Sequence, residues 1–552
     1  MNYREYEQLN LPQIDREILA FWEREAIFQK SIDQRDPERS FVFYEGPPSA
    51  NGLPGIHHVM ARTIKDLFCR YHTMQGKRVV RKGGWDTHGL PIELNVEKEL
   101  GITKEDIGDP DRPRGISMEE YNRRCRETVM RYKDKWDEIT RKMGYWVDLD
   151  DPYITYENDY MESVWWLLKQ LYDKGLLYKG YTIQPYSPAA GTGLSSHELN
   201  MPGAYKEISD TSAVAQFKVK GTADEYLLAW TTTPWTLPSN TALAVGADID
   251  YVKVRTFNRY TGEPTTVILA KDRLPAYFSE QKPDLRPEDL KAGNKPIPYL
   301  EIVEEMKGRE LEGLEYEQLL PYVQPDKPAF RVVVGDFVST EEGTGIVHTA
   351  PTFGADDFKV ARENDIPPLL VKDQHGNPMP LVDKQGRFVP EVTDFAGRYV
   401  KDYGQKEERP VDVDIVIKLK EENKLFLSEK YKHSYPHCWR TDRPVLYYPL
   451  DSWFIRASRL KARMLELNQT IQWKPASTGE GRFGKWLENL QDWNLSRSRF
   501  WGIPLPIWRS EDGAEEVCVG SVAELREALQ QALASGRLNE EESRANRNYL
   551  KA

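Results

Sequence analysis

Two adjacent histidines, His57 and His58, close the glycine- and proline-rich stretch Glu45-Gly-Pro-Pro-Ser-Ala-Asn-Gly-Leu-Pro-Gly-Ile-His-His58. The stretch ends where a helix is predicted to begin, and the free N–H groups and positive dipole end of a helix start favour a phosphate. Imidazoles placed there can donate to a triphosphate. The same pair can instead cap the helix or pack against it, and the loop taken alone fits both readings equally. A second stretch, Gly83-Gly-Trp-Asp-Thr-His-Gly-Leu-Pro-Ile-Glu93, sets Asp86 beside glycine-permitted backbone. Its carboxylate suits an ammonium ligand; an aspartate capping a turn is the plainer alternative.

These segments need a scaffold. At 552 residues the chain is long enough for about three to four domains. Lys+Arg 75 against Asp+Glu 87 leaves a net charge of −12, which argues against a protein that coats nucleic acid through bulk charge but permits a local basic groove. No apolar run approaches the ~20 residues needed to span a bilayer, and the first residues lack the basic-then-apolar order of a signal peptide, so the cytoplasm and no membrane partner are expected. The four cysteines, Cys69, Cys125, Cys438 and Cys518, lie far apart without a Cys-x-x-Cys pair, which signals neither a disulfide framework nor a metal knuckle.

Ile14, Ile18, Phe21 and Trp22 recur at helical spacing behind Pro12, predicting an opening helix with one buried stripe. Ser40-Phe-Val-Phe-Tyr44 reads as a buried strand delivering the chain to the Gly-Pro loop, and residues 56–74 as the helix after it, the order used by nucleotide-binding α/β folds. A helix opening at Ser117-x-x-Glu120 carries Tyr121, Cys125, Val129, Tyr132, Trp136, Ile139 and Met143 on one stripe, so Cys125 reads as core filler. From about 205 the pattern shifts to period two, as in Ala213, Ala215, Phe217 and Val219, Tyr251-Val-Lys-Val-Arg and Phe330-Arg-Val-Val-Val. It predicts a β-rich insertion of about 200 residues before Trp-rich helical sequence resumes near 400. A last helix is expected over Ser521 to Ala534.

At this separation the two chemistry-bearing stretches resemble those of isoleucyl-tRNA synthetases, which are class I aminoacyl-tRNA synthetases, and the resemblance runs over essentially the whole chain. It extends to Trp230-Thr-Thr-Thr-Pro-Trp-Thr-Leu-Pro-Ser-Asn240 and Gly343-Thr-Gly-Ile-Val-His-Thr-Ala-Pro351, similar to the two signature segments of that family's editing domain, and to Ser496-Arg-Ser-Arg-Phe-Trp-Gly-Ile-Pro504. The resemblance implies an α/β fold, a doubly wound parallel-sheet (Rossmann-type) catalytic domain interrupted by a β-rich inserted editing domain. The expected division is 1–40 as a helical arm, 41–190 as the first catalytic part, 191–400 as the editing domain, and 401–552 as the connective region and return to the catalytic domain.

The implied activity is activation of isoleucine by ATP, with Mg2+, then transfer to tRNA(Ile) by a monomer. Gly55, Ile56, His57 and His58 would meet ATP, the two histidines as catalytic groups. Asp86 would bind the substrate ammonium, and Gly46, Pro47 and Trp501 would shape the apolar pocket. One methylene is worth only about 1–3 kcal/mol in such a pocket, a general value for which the isoleucine–valine pair is itself the standard illustration, so a second hydrolytic sieve is needed. Thr231, Thr232, Thr233 and Asn240 would line it, Asp357 would hold the ammonium of the mischarged amino acid, and His348 would limit its size. An ordinary strand is the plainer reading of the threonine run by itself.

Three features depart from the family pattern. The usual His-x-Gly-His signature is here Gly55, Ile56, His57, His58, with Gly and His exchanged. The exchange either breaks the site or is compensated by the two neighbouring histidines. Because Asp86, Trp501 and the glycines around them remain, compensation is the reading adopted, with the exchange tuning the site against inhibitors that mimic the adenylate. At the positions where some relatives hold zinc through two cysteine pairs stand Ser187, Ala190, Cys438 and Thr441, and one thiol cannot hold zinc, so no metal is expected. Lastly, no Lys-Met-Ser-Lys-Ser segment occurs, so the N-terminal part of a longer enzyme is expected. Two rival readings are a stand-alone editing hydrolase acting on valyl-tRNA and a non-catalytic tRNA-binding paralogue.

Overall fold

In the computed structural model, which describes residue 5 and residues 8–290, 296–373, 376–405, 407–510 and 513–536, the chain divides into two compact units. One comprises Met1–Leu177 and Arg499–Ala552, the other Tyr178–Ser498. The architecture is mixed α/β, with the β-rich unit inserted between the two segments of the first. Among the described residues no helix is long and apolar enough to cross a membrane.

In the first unit, Asn10 caps the helix Leu11–Arg24 by accepting from the Gln13 amide, and proline occupies its first turn. The stripe expected to be buried is not: no residue of this helix is buried, and Ile18 and Phe21 are 39% and 42% exposed. The helix is held instead through Trp22, whose ring meets Trp146 edge-on at 5.2 Å while the Arg70 guanidinium lies 4.7 and 4.0 Å from the two ring centroids.

The expected strand at Ser40–Tyr44 is likewise not a buried one. Only Ser40 makes a bridge, parallel to Arg78, and Val42 and Tyr44 are 68% and 88% exposed. An apolar run becomes a buried strand only when neighbours pair its edges and cover its faces. Parallel pairing does join Lys82–Trp85 to Asp148–Ile154. The helix Ile56–Met74 has the bounds its periodicity predicts, but buries Arg62, Cys69 and Thr73 while Ile56, Met60, Ile64, Leu67, Phe68, Tyr71 and Met74 stay exposed.

The long stripe from Ser117 is two helices, Met118–Val129 and Lys133–Lys142. The break comes at Tyr132, whose amide donates to Ala50 O at 3.0 Å, so the backbone leaves the helix to tie down the Gly-Pro loop. Ser117 caps the first helix, but Glu120 pairs with Arg123 and Arg124 rather than closing a reciprocal box. Cys125 packs with Ile92, Val96, Tyr121, Val129 and Trp501, and burial pushes its thiol up to about 12, which makes it chemically inert core.

The second unit is built on a nine-stranded sheet. Glu225–Thr231 lies at its middle, antiparallel to Tyr205–Lys218 and parallel to Pro264–Ala270 and, at Trp230, to Ile346–Thr349. Ala213, Val214, Ala215, Gln216 and Phe217 are all buried, so both faces are covered, one by the cluster of Phe217, Leu243 and Tyr316 and the other by that of Val214, Leu228 and Phe426. Leu425–Pro436 pairs along Tyr205–Lys218, which draws sequence beyond residue 400 into the same sheet.

Candidate functional site

In the first unit the Gly-Pro loop and the start of the helix Ile56–Met74 enclose a cavity of about 410 Å³ lined by Gly46, Pro47, His58, Arg62, Lys65 and Trp136, among others. Lys65 pairs with Glu45 at 2.7 Å, and Tyr145 donates to the other oxygen of that carboxylate. Arg62 lies buried over the Trp136 ring, 5.0 Å from its centroid.

His58 Nδ1 accepts from the Gly55 amide at 2.9 Å, so this imidazole caps its own helix and keeps Nε2 for a ligand. Burial, with His57 and Arg62 nearby, lowers its pKa. His57 stacks on it with centroids 3.8 Å apart but is itself exposed, as is Ile56. A Cβ added at Gly55 would stand 2.9 Å from His57 Cε1. The two positions are thus sterically coupled, which gives the Gly–His exchange a physical basis: a side chain at position 55 requires the exposed His57 imidazole to move from where it lies.

Asp86 is exposed at the end of Lys82–Trp85, and its amide donates to Pro48 O at 2.9 Å, which sets it directly beside the loop. Trp501 Nε1 donates to Thr87 O at 2.7 Å, and its ring is packed in the core cluster beside His88 rather than lining the cavity. The group that sequence reasoning missed is Glu93. It is 1% exposed, accepts from the amides of Phe500 and Trp501 at 3.0 Å each, and pairs with Arg499 Nε at 2.8 Å. One carboxylate thereby holds residues 499–501 against the Asp86 segment. Glu93→Gln keeps the shape and loses the charge, and is expected to cost about 1–3 kcal/mol in urea unfolding of the chain.

The second unit holds the other constellation. Because Trp230 pairs in register with Val347, the threonine run and His348 emerge from adjacent strands into one cavity of about 340 Å³ lined by Thr231, Thr232, Thr233, Thr236, His348 and Asp357, among others. Gly343, at φ 65°, lies against the Trp230 ring, where a Cβ would stand only 2.8 Å from Cε3. Asp357, in the first turn of Ala355–Glu363, curls back to accept from the Ala350 amide at 2.8 Å. Burial pushes its carboxyl up to about 7, and burial lowers His348 to about 4, so that imidazole is neutral at physiological pH.

Asn240 does not line the cavity. It is 3% exposed and sits behind His348, donating to Ala242 O at 2.8 Å. Thr236, also unforeseen, contacts His348 Nε2 at 2.8 Å. Its place in the same Thr-rich run was the available signal. The segment is anchored from behind where the Trp235 amide donates to Asp412 at 2.8 Å, and Asp412 faces the buried Lys401. This arrangement combines a carboxylate fit for an ammonium, hydroxyls able to hold a water or a sugar, and a neutral imidazole at the wall.

Residues 17–550 match the family described as tRNA synthetases class I (I, L, M and V), and the chain belongs to that family. Among individual proteins it is 63% identical to the isoleucine–tRNA ligase of Cytophaga hutchinsonii, over 97% of this chain and 49% of that one. The isoleucine–tRNA ligase of Bacteroides fragilis is 57% identical, again over 97% and 49%. The chain thus spans about half the length of the curated relatives it matches. Overlaid on the Agrobacterium radiobacter K84 agnB2 LeuRS from its ternary complex with tRNA and LeuAMS, it gives a TM-score of 0.34 at 15% identity, over 93% of this chain and 52% of that one.

Proposed function

We propose that this chain carries two sites of an isoleucine–tRNA ligase: one that activates isoleucine with ATP and Mg2+ for transfer to tRNA(Ile), and one that hydrolyses valyl-tRNA(Ile). The observation carrying this reading is the cavity that brings Thr231–Thr233, His348 and Asp357 together, supported by the 63% identity to an isoleucine–tRNA ligase. In the first unit, the free Nε2 of His58 and the cations Arg62 and Lys65 face the cavity where the ATP phosphates would lie, and Asp86 takes the isoleucine ammonium. In the second, Asp357 pairs with the ammonium of the mischarged valine, while the threonine hydroxyls hold the terminal ribose and a water. The water adds to the ester carbonyl, the bond to the ribose oxygen breaks, and valine and tRNA leave. His348 narrows the wall against the larger isoleucine. The protein is proposed to act as a cytoplasmic monomer and to hold no zinc.

Incubating the chain with valyl- and isoleucyl-tRNA(Ile) tests the reading, with selective loss of the valyl ester expected and hydrolysis of neither rejecting it. Isoleucine-dependent ATP–pyrophosphate exchange is the parallel assay for activation.

The Gly55–His57 exchange is proposed to weaken binding of inhibitors that mimic the adenylate. Since the two positions are coupled, the reverting double variant Gly55→His with His57→Gly is expected to bind such an inhibitor about tenfold more tightly, about 1.4 kcal/mol. Unchanged affinity by calorimetry would show that the exchange serves another purpose.

A further inference from the structure

A chain of hydrogen bonds runs from the core of the second unit to the wall of its cavity, and each direction along it is forced. Ala242 O can only accept, so the Asn240 side chain must turn Nδ2 toward it, at 2.8 Å. Its Oδ1 then faces Tyr316, whose hydroxyl, 2.7 Å away and buried, has to donate. Nδ2 also faces His348 Nδ1 at 3.2 Å, which leaves that nitrogen bare. The ring proton is therefore on Nε2, directed at Thr236 Oγ1 at 2.8 Å. Thr236 in turn donates to Thr233 O at 2.8 Å, inside the threonine run itself.

From this geometry we propose that Tyr316 is a positioning residue for the hydrolytic pocket: its hydroxyl, together with the Ala242 carbonyl, holds the Asn240 amide in one orientation, the amide selects the Nε2–H tautomer of His348, and that tautomer fixes the Thr236 hydroxyl and the backbone at Thr233. The proposal rests on the hydrolytic role given to this pocket above. Tyr316 touches neither the cavity nor any substrate position. Its ring is held independently of its hydroxyl, edge-on to Phe217 at 5.4 Å and to Phe330 at 6.1 Å, while its amide donates to Phe330 O at 2.9 Å. Removing the hydroxyl thus leaves the packing in place and strands one buried amide oxygen, a defect large enough to loosen the Asn240 side chain. The neutrality of His348, which burial enforces, makes the tautomer a meaningful quantity at working pH.

The test is Tyr316→Phe in the full chain, read two ways. Nitrogen-15 spectra of the His348 ring, assigned by comparison with His348→Gln, should show a single Nε2–H tautomer in the wild type and a mixture in the variant. Valyl-tRNA(Ile) deacylation should lose about tenfold in kcat with KM little changed, the size expected for one stranded buried polar group. An unchanged tautomer overturns the proposal even if the rate falls, because the loss would then be merely structural, and a rate within twofold of wild type overturns it as well. Should the wild type leave valyl-tRNA intact, the hydrolytic reading fails and the tautomer comparison alone decides. If Tyr316→Phe does not fold, Asn240→Asp reads the same chain: a carboxylate facing Nδ1 should draw the proton to it, and retention of the Nε2–H form would refute the proposal.

Discussion

Asp357→Ala is expected to lower selective hydrolysis of valyl-tRNA(Ile) by about 100-fold, the worth of one well-placed charge-assisted contact in a partly dry site. No other described carboxylate lines that cavity except Glu342 at its outer edge, which is exposed and engaged by the Tyr431 hydroxyl at 2.8 Å. The same residue sets the pH dependence. With its carboxyl raised to about 7 by burial, the free enzyme holds the ammonium-binding form only above that pH. If Asp357 holds the ammonium, deacylation kcat/KM should rise as pH climbs through about 7 and fall again as the substrate's α-ammonium deprotonates at about 8, and Asp357→Ala should remove the rising limb. Stability moves in the opposite sense. A carboxylate raised in the folded state adds no penalty below its unfolded value near 3.8 and the full penalty above about 7. Asp357→Asn is thus expected to melt at a higher temperature than wild type at pH 8, and the gain should vanish at pH 4. A variant that neither loses selectivity nor gains stability would remove Asp357 from the site.

The largest stability effect is expected at Lys401. Its side chain is 7% exposed, with Nζ 2.6 Å from Asp210 and 3.5 Å from Asp412, while His433 Nε2 lies 3.1 Å from the same Asp210. Burial opposes the charge on Lys401, yet Asp412 and then Tyr435 and Asp210 hold its pKa above the usual lysine range. Burial pushes Asp412 up to about 6 even with Lys401 pulling it down. Lys401→Met leaves the buried Asp412 without its cation and Asp210 with only His433, and about 3–5 kcal/mol should be lost in denaturant unfolding at pH 8. The lysine's own contribution is present below the ordinary lysine range and lost only as pH rises through its raised value. In the variant Lys401 no longer pulls Asp412 down, so its buried carboxylate takes up a proton at a pH above 6, and the deficit should shrink as pH falls through that range. Because Asp412 also receives the Trp235 amide, the variant should lose order around Thr231–Thr236 before the rest of the unit. A loss under 1 kcal/mol would mean that the cluster does not anchor that segment.

Different kinds of sequence signal fared differently. Local patterning placed Ile56–Met74 and strands around Ala213–Val219, Tyr251–Arg255 and Phe330–Val334; the strands bury within one unit what their pattern offers, whereas the helix leaves most of its apolar residues exposed. The apolar run at Ser40–Tyr44 and the stripe of Leu11–Arg24 carry the same kind of signal, yet none of their residues is buried, because a pattern states what a segment can bury and not how far its neighbours cover it. The stripe from Tyr121 to Met143 continued past Tyr132 in spacing but not in backbone, since one long-range bond to Ala50 outweighed the local preference.

By itself the sequence determined the family, the Gly55-Ile-His57-His58 exchange and the identity of the groups able to meet an ammonium or a phosphate, because these are matters of residue type at short spacing. Only the tertiary structure decided which of them share a cavity. It brought Thr231–Thr233 to His348 and Asp357 across adjacent strands, set Asn240 behind the wall, and turned His58 Nδ1 back onto its own helix. It also supplied Glu93, Lys401 and Tyr316, whose partners lie 406, 191 and 76 residues away, at separations where no short-range pattern survives in the sequence. The physical reason is that a buried polar group has to find its partner in space, and the fold alone decides where that partner comes from.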